Sequence, residues 1–415
     1  MNAGYQQHEI SEAGQWQQAH AFRTLFHTAC AEGLPVACWR KPGDDQFHLI
    51  IDLSGAASRV KPDIANLPEG FLLAPFERSE DGDNHLIKAD LYFNSQSRQL
   101  RIHPALQNTS NSALERFMKQ LDQSITSGNV SPAWHAADLK NNGEGQDQST
   151  HGSAYEALVA KAVDAIKNGR FEKVVPARTK QVDLPEDFSI TETFESITRR
   201  YPNAFASLVS IPGLGTWMGA TPETLISIDE AGIFRTVALA GTQAYSEGTD
   251  LREVAWRQKE IEEQALVSRY IINCFKRIRL REFTEKGPST IIAANLMHLK
   301  TTFEVDTRAV NFPELPSVML DLLHPTSAVC GMPKEAALDF LHANEGFDRS
   351  LFAGYLGPVN FHGQSHLFVN LRCMQIHQDR ATLYAGAGVT ADSVPEREWQ
   401  ETEHKCQTLL SIINR

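Results

Sequence analysis

Acidic residues near the end of the chain have the spacing of a metal-binding helix face. Glu398, Glu401 and Lys405 are separated by three and four residues, which places them on one face of a helix. The preceding segment Ser393-Val-Pro-Glu396 matches a capping box with a proline in the first turn, so it predicts a helix start. Carboxylates in the first turns stay ionised and suit Mg²⁺, which binds one or two protein carboxylates together with water and substrate oxygens. The alternative is a solvated acidic helix start.

A second pair of carboxylates, Glu260 and Glu263, shares one face of a long helix predicted over roughly 251–281. As a partner for Glu401, this pair would complete a two-carboxylate Mg²⁺ site, although by itself it is typical of a charged helix surface. Glycines lie beside the first cluster, in Ala385-Gly-Ala-Gly388. Such small residues let backbone N–H groups approach an anionic ligand closely.

A candidate acid and a candidate base come from two other segments. Glu223 follows Thr-Pro in the connection between two predicted strands, so its carboxylate is positioned by a restricted turn. Lys173 opens a strand that becomes apolar at once, Val174-Val-Pro. Partial burial there would favour the neutral amine, which could act as a general base. A hairpin with an exposed acid and an edge lysine in contact with solvent are the respective alternatives.

Further residues are candidates for holding an anionic substrate. Arg372 is predicted to lie in a strand, flanked by apolar residues, where it must find an anion such as a substrate carboxylate. The segment Leu239-Ala-Gly-Thr242 ends a strand and suits a close backbone approach to a ligand. His298 and His324 fit a structural role and a supporting role at the site equally well.

Composition limits the class of protein. The 415 residues carry 39 basic and 51 acidic side chains, a net charge of −12, which argues against a nucleic-acid binder. An anionic small substrate would need local cations or a metal ion. The six cysteines are scattered and no signal peptide or membrane-spanning segment is recognisable, so we expect a cytoplasmic protein. No dinucleotide, P-loop or nucleophile-elbow motif is present.

The order of predicted elements divides the chain at a polar segment. Residues 139–153 are rich in glycine and asparagine and predict a linker or surface loop. Residues 1–138 are strand-rich and carry no chemical motif, which indicates an architectural role. Residues 154–415 contain all of the candidate residues. Strands and helices occur without strict βαβ alternation, so the sequence predicts an α+β layered fold rather than a Rossmann fold.

Seven segments of 154–415, taken in order, resemble the chorismate-utilising enzymes, a family that includes isochorismate, salicylate, anthranilate and aminodeoxychorismate synthases. Any one segment alone would be a weak signal, whereas seven in the same order are specific. The matching segments are 173–178, 219–223, 238–242, 259–263, 323–334, 345–354 and 384–402. The resemblance implies a single large two-lobed α+β unit of stacked antiparallel sheets flanked by helices.

The resemblance also implies roles for individual residues. Lys173 would be the base that activates water, and Glu223 the acid that protonates the departing hydroxyl. Mg²⁺ would be bound by Glu263 and Glu401, with Glu260 and Glu398 nearby through water. Arg372, Gly386 and Lys405 would hold substrate carboxylates. The full set of expected substrate-binding residues is Ala240, Gly241, Thr242, His324, Arg372, Gly386, Ala387, Gly388 and Lys405.

The implied activity is Mg²⁺-dependent isochorismate synthesis, feeding either menaquinone or a catechol siderophore. Within the family, a lysine at position 173 combined with Leu239-Ala-Gly-Thr242 resembles the members that use water rather than ammonia. Two alternatives stay open, namely a salicylate synthase that also eliminates pyruvate and a non-catalytic chorismate-binding protein. The expected partner is chorismate, without nucleic acid or membrane, and the protein is expected to be a monomer or a weak dimer.

Overall fold

Antiparallel strands account for most of the architecture. The structure is a computed structural model that describes residues 6–7, 18–77, 84–107, 110–137, 151–246, 248–293 and 296–413. The strands in these ranges are β1 (Gln6–Gln7), β2 (Val36–Arg40), β3 (His48–Ile51), β4 (Ser58–Val60), β5 (Gly70–Ala74), β6 (Asn84–Lys88), β7 (Leu91–Asn94), β8 (Leu100–Ile102), β9 (Lys173–Val174), β10 (Ala177–Asp183), β11 (Phe205–Ile211), β12 (Gly215–Thr221), β13 (Thr224–Ile228), β14 (Ile233–Ala244), β15 (Thr284–Ala293), β16 (Leu296–Asp306), β17 (Gly331–Met332), β18 (Tyr355–Val359), β19 (Ser365–Val369), β20 (Cys373–Ile376) and β21 (Arg380–Gly386).

The strands form two large sheets and one small one. The first sheet has the order β1-β8-β7-β3-β2-β11-β12-β20-β21-β10, and the second has the order β15-β16-β14-β13-β19-β18-β5-β6-β4. The short strands β17 and β9 pair with each other. Strands from the N-terminal part enter both large sheets, since β2 pairs with β11 and β5 pairs with β18. The N-terminal strands are therefore hydrogen-bonded to the strands that follow residue 154.

Eight α-helices lie in the described ranges, and they flank the sheets. They are α1 (Gln18–Ala31), α2 (Ser112–Ser127), α3 (Gly152–Lys167), α4 (Ile190–Arg200), α5 (Gln258–Arg277), α6 (Leu315–Leu323), α7 (Lys334–Asn344) and α8 (Pro395–Ile413). Helix α5 packs on β14 and α6 on β13, outside the second sheet, while α4 packs on β11 and β12 and α8 on β21 of the first sheet. In the described part of the chain, no helix is both long and apolar enough to cross a membrane.

Burial explains why the two sheets stack. Every residue of β11 and β12 is buried, because these central strands are covered on both faces. Alternate residues of β2 enter different apolar clusters: Trp39 faces the second sheet, and Cys38 faces the helices. The ring of Phe205 in the first sheet stacks on that of Phe368 in the second, with 4.0 Å between centroids. The main core thus lies between the sheets.

Three element boundaries differ from the sequence predictions. Most of the expected linker 139–153 lies outside the described residues, and α3 already begins at Gly152. The long helix expected over 251–281 is confined to Gln258–Arg277. The single strand expected over 366–376 is two strands in different sheets, β19 and β20. Arg372 was expected in a strand and instead lies where the chain passes between the sheets, with a φ of 47°.

Candidate active site

A cavity of about 140 Å³ brings together most of the residues that the sequence singled out. The strands β9, β10, β14 and β21 contribute to its walls, together with helices α5 and α8. The expected site residues that line it are Lys173, Glu223, Ala240, Gly241, Glu260, Glu263, Arg372, Gly386, Gly388, Glu401 and Lys405. Segments separated by more than two hundred residues therefore meet at one place.

The candidate acid Glu223 is buried and held by a bonded turn. The Thr221 hydroxyl donates to the Val369 carbonyl at 2.6 Å, and the Val369 N–H donates to the Glu223 carbonyl at 3.0 Å. Burial raises the pKa of the Glu223 carboxyl to about 7, although the positive charges of Lys173, Lys405 and Arg372 oppose the rise. A substantial fraction of this carboxyl is protonated near neutral pH, as a general acid requires.

The candidate base Lys173 begins β9 and faces the same cavity. Its side chain is only 3% exposed, and its ammonium group donates to Glu263 Oε1 at 3.1 Å. Gly388 passes directly over this pair. A Cβ atom at position 388 would lie 3.0 Å from Lys173 Cε and 3.2 Å from Glu263 Oε1. The glycine therefore provides space that a larger residue would take from the lysine and its partner.

Four carboxylates from two helices lie at one side of the cavity, and three of them line it. Helix α5 contributes Glu260 and Glu263, and α8 contributes Glu401 and the buried Glu398. Glu398 does not line the cavity itself and is covered by Lys259, whose Nζ lies 3.5 Å from Glu398 Oε1. The two carboxylates of each helix are three residues apart and therefore lie on the same helix face, as predicted.

Electrostatics distinguishes these carboxylates. Burial, followed by the negative charge of Glu401, raises the pKa of Glu398. Burial also acts to raise the pKa of Glu263 and of Glu401, but nearby lysines outweigh it and hold both values low. Lys173 is the main lysine at Glu263, and Lys405 is the main lysine at Glu401. Glu263 and Glu401 also repel each other, so they are near neighbours.

The donor set fits a hard divalent cation. Carboxylate oxygens are the ligands that Mg²⁺ prefers, and two of them suffice when water and substrate complete the shell. No group of three or more ligating side chains converges on one point in the described residues. Glu263 and Glu401 each hold a lysine ammonium group at hydrogen-bond distance, which shows that both sites attract cations.

Two cations that could bind the carboxylates of a substrate, Lys405 and Arg372, also line the cavity. Lys405 Nζ donates to the Gly386 carbonyl and to Glu401 Oε1, both at 2.7 Å. Arg372 forms no ion pair with any residue in the described ranges, and burial lowers its pKa. A half-buried guanidinium that forms no ion pair can attract an anionic ligand.

Three expected substrate-binding residues need separate comment. His324 does not line the cavity, because its Nε2 lies 3.0 Å from the Pro75 carbonyl and its ring packs against Tyr355. Ala387 is fully buried, and its N–H donates to the Pro176 carbonyl. Thr242 pairs with His298 between β14 and β16, but its side chain lies outside the described part of the structure.

The cavity also contains Arg349, which sequence reasoning did not assign to the site, and His298, whose role it left open. Arg349 lines it, bonded to Glu345 and to the carbonyls of Val329 and Val175. The i,i+4 spacing of Glu345 and Arg349 was the available signal. His298 also lines the cavity, with Nδ1 3.1 Å from the Gly241 carbonyl. Burial lowers the pKa of this histidine to about 4, so its ring is neutral.

Comparison with known proteins identifies the family. A profile of the family described as chorismate binding enzyme matches residues 79–414. The chain belongs to this family. The resemblance expected from the motifs is confirmed, and the match extends further toward the N-terminus than the range 154–415 in which we recognised it. The strands β6, β7 and β8 therefore fall within the family match.

Individual members of the family are similar to this chain at moderate identity. Isochorismate synthase EntC of Escherichia coli (strain K12) is 30% identical over 268 residues, which are 63% of this chain and 67% of that protein. The salicylate biosynthesis isochorismate synthase of Pseudomonas aeruginosa is 34% identical over 273 residues, covering 63% of this chain and 54% of that relative.

Solved structures confirm the predicted fold. MenF, the menaquinone-specific isochorismate synthase from Escherichia coli, superimposes with a TM-score of 0.72 at 21% identity, covering 99% of this chain and 94% of that one. Anthranilate synthase component I from Streptococcus pneumoniae gives a TM-score of 0.64 at 19% identity, covering 97% and 94%. The α+β unit of stacked antiparallel sheets flanked by helices is shared with these family members.

Proposed function

We propose that this protein is an isochorismate synthase, which converts chorismate into isochorismate. The observation that carries the proposal is that Lys173 and Glu223 face one cavity beside carboxylates from both α5 and α8. The similarity to EntC and MenF supports it, because both relatives bear that name. Chorismate is a dianion, and the lysine and arginine side chains around the cavity suit such a substrate.

Glu223 would act as the general acid. Its pKa of about 7 leaves a proton available at neutral pH. That proton would pass to the oxygen at C4 of the substrate as the C4–O bond breaks, and the hydroxyl would depart as water. Proton transfer from a positioned acid of this kind contributes about 10²–10⁴-fold to the rate.

Lys173 would act as the general base. It would take a proton from a water molecule whose oxygen forms the new bond to C2, while the ring double bond shifts and the C4–O bond breaks. One water is added and one is released, so the reaction is an isomerisation without oxidation or reduction. Lys173 Nζ donates to Glu263 Oε1 at 3.1 Å, so a cation bound by Glu263 would compete with the lysine for this carboxylate.

We propose that Mg²⁺ is this cation. Glu263 and Glu401 would hold it, with Glu260 and Glu398 contacting it through water. Bound there, it would supply positive charge that neutralises a carboxylate of the substrate. The low pKa values of Glu263 and Glu401 support the proposal, since both groups are ionised and able to bind a cation. Arg372 and Lys405 would hold the remaining substrate charge.

The biological setting forms part of the same proposal. The product would enter either menaquinone or catechol siderophore synthesis, and the relatives include a vibriobactin-specific isochorismate synthase as well as MenF. We propose a cytoplasmic monomer or weak dimer that binds neither nucleic acid nor membrane. All six cysteines are buried and unpaired, which is consistent with a reducing compartment.

Product analysis tests the proposed function. Purified protein is incubated with chorismate and Mg²⁺, the products are separated, and pyruvate is measured in parallel. We expect isochorismate without pyruvate. Pyruvate with salicylate would instead indicate the salicylate synthase alternative. Recovery of unreacted chorismate alone, with binding still detectable, would reject catalysis in favour of a chorismate-binding protein.

A further inference from the structure

We propose that Lys259 is a built-in counter-ion of the magnesium site. Its ammonium group binds the buried Glu398 in the metal-free protein, and it withdraws into solvent when Mg²⁺ binds. Lys259 would therefore stabilise the metal-free protein and lower the affinity of the protein for Mg²⁺. This inference rests on the proposed function, because it requires Mg²⁺ to bind between α5 and α8.

The contact between Lys259 and Glu398 joins the two helices that carry the carboxylates. Lys259 lies in the first turn of α5, and Glu398 lies in the first turn of α8. Their side chains approach to 3.5 Å between Nζ and Oε1. Within the described residues, this is the sole ion pair between α5 and α8. The partners differ in burial, since the side chain of Glu398 is 3% exposed and that of Lys259 is 52% exposed.

Two other lysines bind carboxylates of the same group, but they are held more firmly. Lys173, on Glu263, is 3% exposed, and Lys405, on Glu401, is 19% exposed and also bonded to a backbone carbonyl. All three lysines line the cavity. Lys259 differs in being 52% exposed on a flexible four-carbon stem, so its ammonium group can return to water at little cost.

The positive charge of Lys259 affects more carboxylates than Glu398, its hydrogen-bond partner. It acts electrostatically on Glu263 and on Glu401 as well as on Glu398. A divalent cation among these carboxylates would be repelled by an ammonium group that stayed in place. Without Lys259 and without metal, however, Glu398 would be a buried carboxylate with no cationic partner, which is strongly unfavourable. Lysine and metal thus compete for the same negative charge.

Metal binding without substrate measures this competition directly. The variant Lys259→Met removes the charge and keeps a long apolar stem, while Lys259→Arg keeps the charge. Lys286→Met is a matched control, because Lys286 is a comparably exposed lysine paired with Glu304 on the β15–β16 hairpin. Mn²⁺ binding is followed by electron paramagnetic resonance, with Mg²⁺ as the competitor.

We expect Lys259→Met to bind the metal about two- to fivefold more tightly than the wild type, from the usual strength of a partly exposed ion pair. Lys259→Arg and Lys286→Met should bind like the wild type. In a Glu398→Gln background, Lys259→Met should change the affinity much less, because the paired charge is already absent. Unchanged or weaker binding by Lys259→Met would overturn the inference.

Thermal melting provides a second measurement that does not depend on activity. Without metal, Lys259→Met should have a lower melting temperature than the wild type. Saturating Mg²⁺ should reduce this difference in melting temperature. Equal melting temperatures in the metal-free state would contradict the counter-ion role. If the wild type binds neither Mn²⁺ nor Mg²⁺, the proposed metal site and this inference both fail. If the wild type binds metal and Lys259→Met binds no more tightly, this inference alone fails.

Discussion

Replacing Glu223 by glutamine should lower the activity of the protein and, above about pH 4.5, raise its stability. Burial raises the pKa of this carboxyl from 4.5 to about 7, so the folded protein resists its ionisation. Below about pH 4.5 the group is neutral in both the folded and the unfolded chain, and its contribution to stability is fully present. Between pH 4.5 and 7 the unfolded chain ionises first, and this stability is lost as the pH rises through the folded-state pKa.

The size of the effect follows from the same values. At about 1.4 kcal/mol for each pKa unit, a rise from 4.5 to about 7 amounts to about 3 kcal/mol. Glutamine has nearly the same shape and does not ionise. The free energy of unfolding of Glu223→Gln should therefore exceed that of the wild type by up to about 3 kcal/mol at pH 8, and the two should be close at pH 4.5.

Urea unfolding at several pH values, combined with the chorismate assay, measures both consequences. We expect the variant to lose about 10²–10⁴-fold in turnover, because the proton donor is removed. In the wild type, the pH profile of kcat/KM should show a transition near pH 7 from the ionisation of Glu223, and the variant should lack this transition. A stability difference that does not change with pH would refute the assignment of a buried, neutral carboxyl at position 223. Normal turnover by the variant would refute its role as the acid.

Three further variants test the rest of the site. Glu401→Ala should abolish Mg²⁺-dependent turnover and Mn²⁺ binding with an unchanged circular dichroism spectrum, and normal activity would exclude Glu401 as a ligand. Lys173→Ala should keep its affinity for chorismate, measured by calorimetry, and lose about 10²–10⁴-fold in isochorismate formation; turnover comparable to the wild type would remove Lys173 from the mechanism. Gly388→Ala should reduce kcat about ten- to a hundredfold, because the added Cβ lies 3.0 Å from Lys173 Cε. Equal activity of Gly388→Ala and the wild type would show that Lys173 needs no such space.

Local spacing was enough to predict the carboxylate pairs. Glu260 with Glu263, and Glu398 with Glu401, are each three residues apart, and a helix places such residues on one face whatever surrounds it. The restricted turn before Glu223 also followed from local chemistry, since Thr-Pro limits the backbone there, whereas the burial of Glu223 did not. These predictions needed only the geometry of neighbouring residues, and the structure agrees with each of them.

Contacts between distant segments were harder to predict. His324 was expected near the substrate, but the packing of the second sheet turns it toward Pro75. Arg372 was expected in a strand, because the apolar residues around it continue the strand pattern. The pattern continues since β19 and β20 are both buried, although they belong to different sheets. Periodicity reports burial, and it does not report which sheet a buried strand joins.

The sequence by itself determined the chemical inventory of this protein: carboxylates in helical pairs, a lysine at the start of a strand, an acid after a proline turn, and the family to which their order belongs. Only the tertiary structure decided that these groups share one cavity, that Arg349 joins them, and that Lys259 reaches across from one helix to the other. The reason is physical. Spacing along a helix or strand depends on local geometry, whereas the distance between α5 and α8 depends on how two whole sheets stack.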